Sequence, residues 1–156
     1  MVDFKKRLAT KPIDFPTDPI EIYTRLDRAS DKGPLRPAQI AVLSDWHASH
    51  RQARDVVLKL HTGEGKTLLG LLMLQAKLHE ARTATSGLGG AGSSTGEARA
   101  LYLCPNHFLV NQTLAQAKLF GVRCVRVDPD GDLPAAFLDG RWEDVLLMSV
   151  LREEWA

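Results

Sequence analysis

The most constraining feature of this chain is an apolar segment, a glycine-containing loop and a long apolar segment that follow one another directly. The stretch DVVLKL (55–60) is short and rich in apolar and β-branched residues, which predicts a buried strand. HTGEG follows it, and the stretch from Lys66 to Ala81 has the apolar pattern of a helix packed on a sheet. The chain must therefore turn sharply between two packed elements, at a point where glycines permit unusual backbone angles.

The residues of this turn are those of a phosphate-binding loop. Gly63 and Gly65 permit close approach of backbone N–H groups to an anion, and the helix N-terminus that follows favours negative charge. In such a Walker A loop, Lys66 binds the β- and γ-phosphates of a nucleotide and Thr67 binds Mg²⁺ through its hydroxyl. The strict pattern G-x-x-x-x-G-K-[ST] has glycine where this chain has Leu60, but the predicted strand and helix on either side support the assignment. The predicted nucleotide-binding residues of the loop are Thr62, Gly63, Glu64, Gly65, Lys66 and Thr67, of which Lys66 and Thr67 are the predicted catalytic residues.

Strands and helices alternate along most of the chain. Pro37 opens a predicted helix, further strands are predicted at 98–105, 122–127 and 144–150, and a helix is predicted from Phe108 to Phe120. Strands that alternate with crossover helices indicate an α/β fold, with a parallel sheet covered by helices on both faces. The Gly/Ser/Thr-rich segment 83–97 is predicted to be a flexible loop.

Composition limits the class of protein without selecting its partner. The net charge is +1, which neither requires nor excludes nucleic acid. The sequence has no signal-peptide pattern and no apolar stretch long enough to span a bilayer, so we expect a cytoplasmic protein. Cys104 and Cys124 lie far apart without a C-x-x-C motif, which favours reduced cysteines of the core.

Three further stretches, taken with TGEGKT, resemble the first half of superfamily 2 DEAD/DEAH-box-type helicases in order and spacing. They are LRPAQ (35–39) before the loop, LYLCPNHFLVNQ (101–112) after it, and DVLLMSV (144–150) later still. The resemblance implies a RecA-like P-loop NTPase domain, incomplete, that spans 34–156 after an N-terminal arm and short helix at 1–33. It also implies ATP and Mg²⁺ as cofactors, and DNA or RNA as the partner along which ATP hydrolysis drives movement.

The resemblance also assigns roles to single residues. Gln39 would hydrogen-bond the adenine edge, because an amide donates and accepts at once. Arg36 and Pro37 would position that segment.

A second set of assigned residues would contact the nucleic-acid backbone. These residues are Pro105, Asn106, His107 and Ser149. The first three follow a predicted strand, where open α/β sheets bind ligands, and contacts of this kind are largely independent of base sequence. PNHF departs from the Thr-Arg pair of many relatives, so the motif itself contains no arginine.

The resemblance leaves part of a motor unaccounted for. Phosphoryl transfer requires an acidic residue after an apolar strand to hold Mg²⁺. The only acids after the last predicted strand, Glu153 and Glu154, do not form the D-E-A-D/H motif, and a second RecA-like domain is not present in these 156 residues. We therefore expect the chain by itself to bind nucleotide without robust ATP hydrolysis.

Two other classes of protein fit the loop. A P-loop kinase or a protein-export ATPase also has a TGEGKT-like loop, and an export motor binds polypeptide rather than nucleic acid. A non-catalytic module that binds nucleotide or a partner is the second alternative, and the lack of an evident acidic motif favours it for the chain alone.

Overall fold

The structure is a computed structural model that describes residues 15–86, 99–127 and 146–150, the last range as backbone only. The predicted arm before residue 15, most of the predicted loop 83–97, residues 128–145 and residues 151–156 lie outside the described residues. The helices are α1 (Pro19–Arg25), α2 (Pro37–Asp45), α3 (Lys66–Ser86) and α4 (His107–Leu119), and the strands are β1 (Ala100–Cys104), β2 (Cys124–Arg126) and β3 (Leu146–Val150). A π-helical turn, Trp46–His50, continues α2.

The three strands form a parallel sheet in the order β1, β3, β2. Cys104 is paired with Val150 and Arg126 with Met148, so the carboxyl ends of all three strands lie at one edge. The strands predicted after α3 occur at the predicted places, with slightly shorter bounds.

Helices α3 and α4 pack on the face of β1 that is formed by Ala100, Tyr102 and Cys104. The buried core between them is formed by Leu71, Leu78, Val110, Ala117 and Val122. On the opposite face, the side chains of Leu101 and Leu103 are 50% and 48% exposed, and no described helix covers them. The structure thus contains one of the two predicted helical layers, and the second stays a prediction.

A second apolar core fastens α1 and α2 to the beginning of α3. Ile22 and Tyr23 of α1, Leu43 of α2 and Leu69 of α3 are buried together, along with Trp46 of the π-helical turn. Because α2 is held against the first turns of α3, its N-terminal residues lie beside the glycine loop. This packing creates the candidate site.

The predicted strand 55–60 is wrong for the described structure. These residues form no ladder with β1, β2 or β3, and the side chain of Val57 is 94% exposed. A strand depends on hydrogen bonds to a neighbouring strand, and the apolar, β-branched composition of a segment does not supply that neighbour. The segment enters the glycine loop as irregular chain.

Helix α3 is longer than predicted. It continues to Ser86, so the first residues of the predicted loop 83–97 are helical. Thr83 Oγ1 donates to the carbonyl of His79 at 2.9 Å, within the helix, and this contact is compatible with continued helical backbone. Cys104 and Cys124 are both unbonded thiols, as predicted, and burial raises the pKa of Cys124 to about 12.

Candidate nucleotide site

The glycine loop has the backbone shape that only glycine adopts without strain. Gly63 has φ +86° and Gly65 has φ +78°, both in the left-handed region. A Cβ on Gly63 would meet nothing within 4 Å, whereas a Cβ on Gly65 would lie 2.5 Å from Gln39 Nε2. Gly65 therefore serves two purposes: it permits the turn, and it makes room for a side chain from α2.

The beginning of α2 is hydrogen-bonded to the loop. Gln39 Nε2 donates to the carbonyl of Glu64 at 2.9 Å, and Gln39 Oε1 accepts from the backbone N–H of Arg36 at 3.0 Å. Arg36 Nη1 donates to the carbonyl of Gly63 at 3.0 Å. Gln39 is only 6% exposed, so both ends of its buried amide have partners. The predicted adenine-binding residue thus also fixes the shape of the phosphate loop.

Lys66 is folded back over the same loop. Its ammonium group donates to the carbonyl of His61 at 2.9 Å, and the residue is exposed to solvent. The residue before it is Gly65, which has no side chain with which to cap the helix. The N-terminus of the 21-residue helix α3 therefore presents its N–H groups and a lysine to the same space.

A cavity of about 780 Å³ brings these groups together. Its lining includes Arg36, Gln39, Gly63, Lys66 and Thr67. The opposite wall includes Gln112 and Gln116 of α4 and Phe120, which follows that helix. The volume lies within the range of small-molecule sites, and the lining combines cationic and amide groups at one end. The shape and the charge suit a nucleotide.

Thr67 has a neighbour that the sequence did not indicate. Its side chain is hydrogen-bonded to that of Tyr102 on β1, and burial raises the pKa of the Tyr102 phenol above its ordinary value. The Tyr102 ring lies over Gly70, where an added Cβ would be 3.2 Å from Cε2. The signal in the sequence was weak: a tyrosine in a strand and a glycine one helical turn after the threonine.

The predicted nucleic-acid residues lie at the carboxyl edge of the sheet. Asn106 Oδ1 accepts from the backbone N–H of Leu109 at 2.9 Å and so caps α4, and His107 is the first residue of that helix. Pro105 precedes them in the turn after β1, and Ser149 is aligned with Leu103 in the sheet register.

Arg126 supplies the cation that PNHF does not contain. Its Nη2 lies 2.8 Å from His107 Nδ1, and it ends β2, which does not pair with β1. The sequence analysis missed this residue because the strand order, with β3 between β1 and β2, determines that the ends of the two outer strands share an edge. The geometry thus adds a basic side chain to the predicted contact surface.

Two structural searches bear on other kinds of site. Among residues 15–86 and 99–127, no group of three or more His, Cys, Asp or Glu side chains could hold a metal ion, and this includes His47 and His50. Within the described part of the chain, no helix has the length and apolarity to cross a bilayer.

A comparison with protein families gives one match. The profile described as DEAD/DEAH box helicase matches residues 36–131. The match begins at Arg36, includes the glycine loop and the turn after β1, and ends before Ser149. No curated protein matches the chain.

Proposed function

Because the chain belongs to the DEAD/DEAH box helicase family, we propose that its glycine loop binds the phosphates of ATP together with Mg²⁺. In a complete helicase or translocase, this grip would couple ATP hydrolysis to movement along DNA or RNA. Thr62 to Thr67 would hold the phosphates, Gln39 would face the base, and the carboxyl edge of the sheet would contact the nucleic-acid backbone.

The observation that carries this proposal is the position of Lys66. Its ammonium donates to a backbone carbonyl, His61 O, at the mouth of an uncapped helix and beside two glycines in left-handed conformation. A phosphate oxygen carries more negative charge than a carbonyl, and charge-assisted hydrogen bonds are about twice as strong as neutral ones. Lys66 would therefore exchange His61 O for the β- and γ-phosphates without a large movement of the loop.

The residues of the loop also fit the cation that accompanies ATP. Mg²⁺ prefers oxygen ligands, keeps several of its waters and takes few ligands from the protein. Thr67 supplies one hydroxyl at the second position of α3, where the loop meets the cavity. When bound, Mg²⁺ would neutralise phosphate charge, and Thr67 would hold it in place relative to Lys66.

Selection of adenine would require Gln39 to share its amide. In the structure, the amide nitrogen is bonded to Glu64 O and the amide oxygen to Arg36 N. Each oxygen has a second lone pair and the amide nitrogen has a second hydrogen, so a base can be bound while the loop contact persists. We expect Gln39→Ala to weaken all nucleotides somewhat and ATP most. Equal binding of ATP, GTP, CTP and UTP by the wild-type chain would contradict the assignment to adenine.

At the sheet edge, the proposed contacts are to phosphate and sugar. Asn106, His107 and Arg126 are exposed, and Arg126 adds a permanent positive charge to the N-terminus of α4. Pro105 and Ser149 belong to the same edge by sequence and register. Such a surface would bind nucleic acid with little dependence on base sequence and with strong dependence on salt.

The decisive experiment is an equilibrium titration of the 156-residue chain with ATP and Mg²⁺. We expect saturable binding, and we expect Lys66→Ala to weaken it about 30-fold, since a charge-assisted hydrogen bond contributes roughly 2 kcal/mol. Lys118→Ala is the matched control, because Lys118 is an exposed lysine in the last turn of α4. Unchanged affinity in Lys66→Ala would reject the phosphate site.

Phosphate release distinguishes a binding module from an active motor. We propose that the chain by itself binds ATP but turns it over at no more than background rate, with or without DNA or RNA. Clear turnover that disappears in Lys66→Ala would overturn this expectation. It would also direct attention to Glu153 and Glu154 as acidic residues of the reaction.

A further inference from the structure

We propose that Tyr102 is a positioning residue whose hydroxyl orients the Thr67 hydroxyl so that an oxygen lone pair faces Mg²⁺. This inference rests on the proposed nucleotide site and adds to it a residue from a different element, the first strand of the sheet.

The contact joins the strand to the first turn of the helix. The side chain of Tyr102 is hydrogen-bonded to that of Thr67. Its ring lies against Gly70, which is three residues after Thr67 and so on the same side of α3. A tyrosine that crosses Gly70 toward the helix N-terminus brings its hydroxyl to Thr67.

A glycine at position 70 is explained by this contact. Glycine inside a helix costs about 1 kcal/mol relative to alanine, so its presence in α3 calls for a compensating reason. A Cβ at this position would lie 3.2 Å from Tyr102 Cε2, closer than most carbon contacts in folded proteins. Gly70 thus provides the space that lets the tyrosine ring approach the helix.

The tyrosine is held by more than the helix. Tyr102 belongs to β1, where its backbone is in register with Met148 of β3, and its ring packs against the buried clusters that include Leu71 and Val110. A tyrosine side chain has two rotatable angles, so little further freedom is lost when it is held. The position of its hydroxyl is therefore set by the sheet rather than by the loop.

The chemistry of a hydroxyl ligand gives this contact a purpose. A threonine hydroxyl has one hydrogen and two lone pairs, and a cation requires a lone pair. In a helix, threonine can also turn its hydroxyl to donate to a carbonyl of the preceding turn. A fixed acceptor at Tyr102 would take the hydrogen of Thr67 instead and leave a lone pair for Mg²⁺. Partners of this kind, behind the ligands themselves, typically change metal affinity 10- to 100-fold when removed.

The test separates the affinity for nucleotide from its dependence on Mg²⁺. A β,γ-imido analogue of ATP is titrated into each chain in excess Mg²⁺ and again in excess EDTA. We expect wild type to bind more tightly with Mg²⁺. Tyr102→Phe should lose about 10-fold of that gain while its affinity in EDTA stays unchanged. Tyr23→Phe is the matched control, because it removes a hydroxyl that donates to Gly33 O at 2.8 Å, and it should leave the ratio of the two affinities unchanged.

Two further variants examine the mechanism. Gly70→Ala keeps the tyrosine hydroxyl but pushes on its ring, and alanine favours the helix, so the variant should fold and show a smaller loss of the same ratio. Thr67→Val removes the hydroxyl, and adding Tyr102→Phe to it should cause no further change, because the two side chains act through one contact.

The possible results are distinct. If wild type binds no analogue in either condition, the proposed function fails and the inference fails with it. If wild type binds, but Tyr102→Phe and Gly70→Ala both keep its Mg²⁺ ratio, the inference alone is overturned. A loss in Tyr102→Phe that persists undiminished in the Thr67→Val background would also overturn it, because the tyrosine would then act elsewhere.

Discussion

Helices α3 and α4 pack on the same face of the sheet, yet their N-termini are built differently. The N-terminus of α4 is capped by its own chain: Asn106 Oδ1 accepts from Leu109 N–H at 2.9 Å. The N-terminus of α3 follows Gly65, which has no side chain, and the loop before it is held from behind by Arg36 and Gln39. The loop is thus made rigid without a group that occupies its helix N-terminus.

This difference indicates where an anion would bind most readily. A helix N-terminus has several N–H groups without intrahelical partners, and a capping side chain satisfies one of them. At α4 the cap competes with a ligand, and Arg126 supplies positive charge from the side through His107. At α3 the N–H groups, the dipole and Lys66 all serve the ligand. We therefore expect tight phosphate binding at α3 and weaker, salt-sensitive binding at α4.

The largest expected effect is on the loop backbone. Gly65→Ala combines a left-handed φ, which costs an L-residue about 1–2 kcal/mol, with a Cβ placed 2.5 Å from Gln39 Nε2. Displacing Gln39 also breaks its bond to Glu64 O, worth roughly 1 kcal/mol. We expect a loss of about 2–3 kcal/mol in the free energy of unfolding, together with weaker ATP binding, measured by denaturant unfolding and titration.

Two glycine variants sharpen this result. Gly63→Ala has the same kind of φ but open space around its Cβ, so it should cost only the backbone strain of about 1–2 kcal/mol. Gly33→Ala has nothing within 4 Å and no left-handed φ, so it should be nearly neutral. Equal losses at Gly63 and Gly65 would contradict the role given to Gln39.

The cap of α4 is expected to matter for stability but not for nucleotide. Asn106→Ala should lower the free energy of unfolding by about 1 kcal/mol, because Leu109 N–H loses its partner. Asn106→Asp keeps a capping oxygen and should retain stability. ATP affinity should be the same in both variants, and a clear change would mean that the two helix N-termini are not independent.

Removing the tether of the loop should have a smaller effect. Arg36→Ala deletes the bond from Nη1 to Gly63 O, an exposed hydrogen bond, and we expect ATP affinity to fall about threefold with little change in stability. Arg54→Ala is the control, because its side chain is 96% exposed and its ion-pair partner is the neighbouring Asp55. An unchanged affinity in Arg36→Ala would leave Gln39 as the contact that matters.

The smallest effect is expected at the sheet edge, and salt dependence reveals it best. If Arg126 contacts one phosphate, Arg126→Ala should reduce the slope of log K against log salt by about one for single-stranded DNA or RNA of mixed sequence. Arg123→Ala is the matched control, since Arg123 is exposed and precedes β2 at the opposite end of the strand. Equal slopes for the two variants would remove Arg126 from the contact surface.

Local sequence signals were reliable where the structure depends on neighbours along the chain. Helix α3 begins at Lys66 as predicted, because glycine, lysine and threonine at a helix start are a short-range pattern. The later strands and α4 also lie where their apolar patterns place them. The end of α3 was predicted too early, because a change in composition at Thr83 does not by itself stop a helix.

Signals that depend on distant partners were incomplete. The apolar segment 55–60 was predicted as a strand, but strand formation needs a paired neighbour, and none of the described strands supplies one. Tyr102 and Arg126 were missed as site residues because each reaches its partner across the fold, at Thr67 and His107 respectively.

The sequence by itself determined the grip: two glycines, a lysine and a threonine at the start of a long helix, with R-P-x-Q upstream, in an order that matches one family. Only the tertiary structure decided how the grip is supported. It places Gln39 in the space that Gly65 leaves, Tyr102 on Thr67 across Gly70, and Arg126 beside His107. The reason is physical: loop chemistry is encoded in adjacent residues, whereas contacts between elements depend on strand order and helix packing, which no short stretch specifies.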